Sequence, residues 1–171
     1  MGGCARAPQL SQGVRPPKVK MNVDLAHALY AIGRLPGEDL PGLALELLSK
    51  GIDTSAVREL AGLRRPTVRD AGPVFERVLA DLGRPTMPVE VAGQVIARDL
   101  ARRVVAGEMS PREAAQRGSS LSTQAGYPDV LTRFLAYADD YECFPDRQQA
   151  IDAQVIGYAN ELLAGESDEV V

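Results

Sequence analysis

Apolar side chains recur every three or four residues along most of this chain, and each run is closed by a glycine or a proline. That pattern predicts a succession of amphipathic helices. From Asn22, a residue type suited to an N-cap, Val23, Leu25, Ala26, Leu29 and Ile32 share a helical face, and Leu35-Pro36-Gly37 ends the run. Pro41 suits the first position of a short second helix with Leu43, Leu47 and Leu48 inward and Gly51 as a left-handed C-cap. A third, capped by Asp53 or Thr54, carries Val57 and Leu60 and stops at Gly62. Thr67 to Leu82 reads as the fourth, with Val74, Phe75, Val78, Leu79 and Leu82 in a stripe; Gly72-Pro73 either kinks it or marks its start.

The fifth helix, Pro88 to Ala106, is predicted to be the longest and central, since Val89, Ala92, Ile96, Leu100 and Val104 keep helical spacing up to Gly107. Ser110-Pro111-Arg112-Glu113 joins a capping box to a proline at the first helical position, and that helix is predicted to end by Gly118, leaving Ser119 to Gly126 as a loop. Pro128 opens a seventh with Val130, Leu131, Phe134, Leu135 and Ala138 inward, closed by Pro145; Asp146 is expected to cap a last helix running to Ala164. No repeat of fixed period emerges, so a solenoid is not supported. The expected fold is all-α: an irregular bundle of about seven to eight helices packed around the fifth, as a single domain over residues 21–165. Residues 1–20, with Arg6, Arg15, Lys18, Lys20 and no acid, read as a disordered basic leader, and 166–171 as an acidic tail.

Composition adds limits to this picture. With 171 residues the chain can bury a core without disulfides or metals, and 5% aromatics with no Trp suit close helix packing better than a sheet. A net charge of -4 gives no overall attraction to nucleic acid or anionic lipid, so such binding would need a local patch. Cys4 and Cys143 make no disulfide framework, and no run has the length of a spanning helix or the apolar core of a signal peptide, so the expected setting is soluble and cytoplasmic, with no membrane contact. Met1-Gly2-Gly3-Cys4 has Arg6 where a myristoylation signal wants Ser or Thr. Lysine occurs only at Lys18, Lys20 and Lys50, a bias that points to a GC-rich bacterial genome.

Catalytic signatures are absent: the sequence has no nucleophile elbow, Walker loop or dinucleotide turn, and its one histidine, His27, has no second ligand at metal spacing. No metal or other cofactor is expected. Negative charge gathers at Asp139, Asp140, Glu142 and Asp146, beside Tyr137, Tyr141 and Phe144. The run reads as a solvated acidic turn, as a patch for a basic protein partner, or as a hard-cation site, although no tight oxygen-donor loop is visible. Arg98, Arg102, Arg103, Arg112 and Arg117 form a basic run that Glu90, Asp99, Glu108 and Glu113 are close enough to neutralise.

Val57-Arg58-Glu59-Leu60-Ala61-Gly62-Leu63-Arg64-Arg65-Pro66-Thr67-Val68-Arg69-Asp70 resembles the turn and recognition helix of bacterial helix-turn-helix regulators, in which a glycine lets the chain reverse. The resemblance implies DNA contacts by Arg64, Arg65, Thr67 and Arg69. It departs from the pattern at Arg58, where a small residue is usual, and no wing hairpin follows. Across residues 45–146, the stretches Gly51 to Gly62, Phe75 to Gly83, Gly107 to Pro111 and Tyr141 to Pro145 look like small helical actinobacterial proteins without assigned function. That resemblance implies an all-helical bacterial protein and brings no catalytic residues with it. The sequence therefore favours a non-enzymatic interaction protein, an adaptor, inhibitor or immunity-type protein. A DNA-binding regulator is the second reading. The third is an enzyme that assembles carboxylates such as Asp99, Asp139 and Asp140.

Overall fold

A computed structural model of the protein describes residues 21–165; the expected leader, residues 1–20, and tail, 166–171, lie outside the described residues. Among the described residues there are eight α-helices and no strand: α1 (Val23–Ala31), α2 (Leu40–Ser49), α3 (Ser55–Gly62), α4 (Val68–Asp81), α5 (Val89–Val105), α6 (Pro111–Ser122), α7 (Asp129–Cys143) and α8 (Gln148–Ala164). Short 3-10 turns, Gly37–Asp39 and Pro145–Arg147, lead into α2 and α8. The all-helical fold expected from the apolar spacing is the one observed.

The N-termini form where short polar side chains satisfy free amides. Asn22 accepts from the Leu25 amide at 2.8 Å, Thr54 from Val57 at 3.3 Å and Ser110 from Glu113 at 3.2 Å. Thr67 and Asp70 complete a reciprocal capping box at the start of α4. The first helix stops earlier than Leu35-Pro36-Gly37 suggests. Gly33 takes φ +69°, and the Arg34 amide reaches back to the Leu29 carbonyl at 2.7 Å, closing the helix in a left-handed cap. Because α4 begins at Val68, Pro73 neither starts nor ends it. The ring sits on the exposed side of the second turn, where only the Arg69 carbonyl is deprived of its intrahelical donor.

Buried side chains form two clusters that meet at α1. Leu25, Ala28 and Ile32 join the inner faces of α5, α6, α7 and α8, with Ile96, Leu100, Leu131, Phe134 and Val155 at the centre. Ala26 and the flanking Met21 and Leu35 join α2, α3 and α4, around Leu40, Leu60, Phe75 and Val78. Half-buried Leu29 packs against both. The fifth helix is thus the centre of one cluster only; the other is built by helices that do not depend on it. Tyr30 clamps α1 to α4, its ring edge-on to Phe75 at 5.8 Å and its hydroxyl donating to Glu76. An ion pair between Asp24 and Arg84 ties the start of α1 to the segment after α4.

The expected end of α6 at Gly118 is corrected by the structure. The helix runs on to Ser122, and Gly118 is buried in its interior with Ala114, Ala115 and Ser122. These small residues let α7 approach so closely that a Cβ on Gly118 would lie 2.4 Å from that of Phe134. Gly118-Ser119-Ser120 resembles a loop because small residues carry little hydrophobic signal, yet part of it forms the contact surface. The Asp146 expectation is also corrected: Asp146 lies inside the second 3-10 turn, and Arg147 occupies the N-cap of α8.

Two glycine substitutions test this packing. Gly118→Ala should destabilise the chain by about 1–3 kcal/mol, because Phe134 must move to admit the methyl group. Gly157→Ala, at an exposed position in α8 with nothing within 4 Å of the added carbon, should stabilise it by roughly 0.5–1 kcal/mol. Urea midpoints at unchanged slope would report both; equal shifts for the two variants would contradict the close approach of α6 and α7.

Candidate functional site

The acidic and aromatic run lies at the corner where α7 gives way to α8. Phe144 closes α7 by donating its amide to the Asp140 carbonyl at 2.9 Å, and Pro145 cannot extend the helix. The chain turns through Pro145–Arg147, whose last amide returns to the Phe144 carbonyl at 3.0 Å. Phe144 is left 47% exposed, its ring under the Arg147 guanidinium at 5.4 Å. Asp139, Glu142, Cys143 and Asp146 are exposed around it, and Asp140 is half-buried.

The other two aromatics of the run turn inward. Tyr141 is buried, donates its hydroxyl to the Asp152 carboxylate and lies under the Arg112 guanidinium at 5.7 Å. Burial, reinforced by the Asp152 hydrogen bond, pushes its ionisation above the usual phenol range. Tyr137 is half-buried with its ring 6.1 Å from that of Tyr158. The run therefore divides into two structural tyrosines and one outward aromatic, Phe144, set among carboxylates.

The connection between α3 and α4 forms the second surface. Arg64, Arg65, Thr67 and Arg69 are all exposed, as a DNA-reading turn would need. The local geometry differs from the resemblance in two ways. Gly62 is the last residue of α3, and the left-handed reversal falls on Arg65, at φ +47°. The Thr67 hydroxyl is engaged with Asp70, at 2.7 Å from its carboxylate, and an aspartate stands in the first turn of the helix that would face phosphate. Gly37 packs directly over this start, so that a Cβ there would lie 2.4 Å from the Val68 nitrogen.

A third feature escaped sequence reading. A cavity of about 210 Å³ opens where α1, α5 and α6 meet the segment after α1. Met21, Leu25, Leu29, Ile96, Leu100 and Leu121 supply its apolar lining, and Arg34, Asp39, Asp99, Arg103 and Arg117 its charged groups. The Asp99 and Arg103 side chains are 13% and 16% exposed and stand 3.8 Å apart, one helical turn from each other on α5. Arg117 is held at 2.7 Å by Glu113. Burial raises the Asp99 carboxyl above its ordinary value despite the opposing charges of Arg103 and Arg102. The sequence singles out Asp99 only as one of several scattered carboxylates and as a neighbour able to neutralise the arginine run, with nothing to place it beside α1.

His27 is buried on α1; burial and the nearby Arg84 lower its pKa, partly offset by Asp24. Neither Asp139 nor Asp140 lines the cavity that contains Asp99, so the carboxylates suggested for an assembled catalytic site are not brought together there. Among the described residues no group of three or more His, Cys, Asp or Glu is placed to hold a metal ion, and no helix is long and apolar enough to cross a membrane. No protein-family model, characterised protein or solved structure matches the chain.

The raised Asp99 pKa has a signed consequence. The folded chain keeps this proton to higher pH than the unfolded chain, so the contribution of Asp99 to stability is largest in acid. It declines as the pH rises from 3.8 through the raised value. Asp99→Asn should therefore gain on the wild type across that interval in urea titrations. A difference independent of pH would show that the carboxyl is not perturbed.

Proposed function

We propose that this chain is a non-enzymatic bacterial helical interaction protein, an adaptor, inhibitor or immunity-type protein that binds a basic protein partner through the corner between α7 and α8. One observation carries the reading: an aromatic side chain, Phe144, remains 47% exposed on the same short stretch of chain as the exposed carboxylates of Asp139, Glu142 and Asp146. An outward aromatic supplies the apolar anchor around which interface energy concentrates. The surrounding carboxylates steer a cationic partner and favour it over acidic surfaces. The thiol of Cys143, exposed and in no disulfide among the described residues, supports a reducing, cytoplasmic setting, and the likeness to small helical actinobacterial proteins supports a bacterial one.

A second reading, DNA binding through the α3–α4 connection, is favoured by the joint exposure of Arg64, Arg65 and Arg69. The exposed acidic corner and the aspartate at the start of α4 favour the protein partner.

Affinity capture from the parent cell lysate, with and without nuclease, separates the two readings. The interaction reading expects a stoichiometric basic protein that survives nuclease. Its binding should weaken by about tenfold or more with Phe144→Ala and with the pair Glu142→Lys and Asp146→Lys. The same partner should be indifferent to Ala at Arg64, Arg65 and Arg69. Recovery dominated by specific DNA, lost at higher salt and with those three alanines, would overturn the proposal in favour of a regulator.

A further inference from the structure

The cavity between α1, α5 and α6 shares no residue with the corner at α7 and α8, so what it binds is a question beyond the interaction reading. Its lining divides by chemistry. Six aliphatic side chains, Met21, Leu25, Leu29, Ile96, Leu100 and Leu121, provide an apolar surface with no aromatic platform for a flat ring. Pro36 and five charged groups complete it, the latter being three arginines and two aspartates. Glu113 neutralises Arg117 from outside the lining, so the cavity carries no large positive excess and suits a single negative charge at most; a multiply charged phosphate would meet the Asp39 and Asp99 carboxylates.

The guanidiniums also differ in how far they are already engaged. Arg117 is held by Glu113 at 2.7 Å, and Arg103 lies beside Asp99 at 3.8 Å. Arg34 is exposed and forms no salt bridge among the described residues. It is the cation available to an incoming head group, while Arg103, largely sheltered, adds charge from deeper in the lining. Size sets the remaining limit. An apolar cavity of ~150 Å³ is enough to take up benzene, and drug-sized ligands occupy roughly 300 Å³ or more. At about 210 Å³ this cavity fits a ligand between those limits.

We propose that the cavity is a binding site for a small aliphatic carboxylate, one anionic head on a hydrocarbon tail of roughly six to ten carbons. The tail lies against the six aliphatic side chains, and the head pairs with Arg34. The arrangement requires no covalent step, and the ligand leaves unchanged. Because the lining combines α1, α5 and α6, an occupied cavity also holds α1 against α5, which couples ligand binding to the joint between the two buried clusters.

Octanoate, 1-octanol and octylamine titrated into the full chain test the assignment, with the protein carrying methyl-¹³C methionine. Octanoate should shift the Met21 methyl resonance saturably and leave Met87, which does not line the cavity, in place. It should bind about tenfold more tightly than octylamine, whose charge the arginines repel. Arg34→Met removes an exposed cation without touching the core; it should weaken octanoate about tenfold and leave 1-octanol unchanged. Leu121→Trp, at a half-buried lining position, should fill the space and abolish both, with the far-ultraviolet circular dichroism unchanged. A Met21 resonance that does not move overturns the proposal. Equal affinity for octanoate and octylamine, or indifference to Arg34→Met, overturns the anionic assignment.

Discussion

The fold depends on α1 being apolar on two sides at once. In nine residues it supplies Leu25 and Ala28 to one buried cluster and Ala26 to the other, with Leu29 against both. Successive side chains on a helix are about 100° apart, so adjacent residues can serve different neighbours. Such a helix has little surface left for solvent, which explains why even His27 is buried on it with its charged form disfavoured. The clamp of Tyr30 onto Phe75 and Glu76 and the pair of Asp24 with Arg84 fix α1 against the α4 side. Leu25, Ala28 and Ile32 hold it to the α5 side through area removed from water.

Elsewhere the packing relies on the absence of side chains. Gly118 admits Phe134 between α6 and α7, and Gly37 lies backbone to backbone against the first turn of α4. Both contacts bring elements closer than a methyl group would allow, and both gain dispersion contacts from that proximity. Aromatics are few in the chain, and several have a distinct local task. Phe75 and Phe134 fill the two clusters, Tyr30 and Tyr141 hydrogen-bond across helices, and Phe144 alone among the phenylalanines is left to solvent.

The surfaces with chemical character sit where this packing scheme ends. The cavity lies beside α1, where leucines from the seam meet charged residues of α5 and α6 that cannot fill an apolar gap. The acidic corner lies at the far end of α7, where proline stops the helix and the chain must expose its backbone and side chains in a short turn. These regions have separate residues, so partner contact and ligand occupancy can be altered one at a time.

Local chemistry was legible in the sequence wherever a residue acts on its near neighbours. The start of α4 at the Thr67 capping box stays open against Gly72-Pro73, but the caps at Asn22 and Ser110, the narrowing of the α3 cap to Asp53 or Thr54, the proline starts of α5, α6 and α7, and the apolar stripes of α4 and α5 were readable, because helix initiation and helical periodicity are decided within a few residues. So was the acidic character of the corner at Asp139 to Asp146. Only the tertiary structure decided that Gly118 continues a helix, that Tyr141 is buried while Phe144 is exposed, and that Arg34, Asp99 and Arg117 line one cavity. Each of these depends on which distant helix face arrives opposite a given residue. A glycine inside a helix and a glycine ending one are the same letter until Phe134 is placed against it, and an i, i+4 charge pair reads as surface until α1 and α6 take away its water.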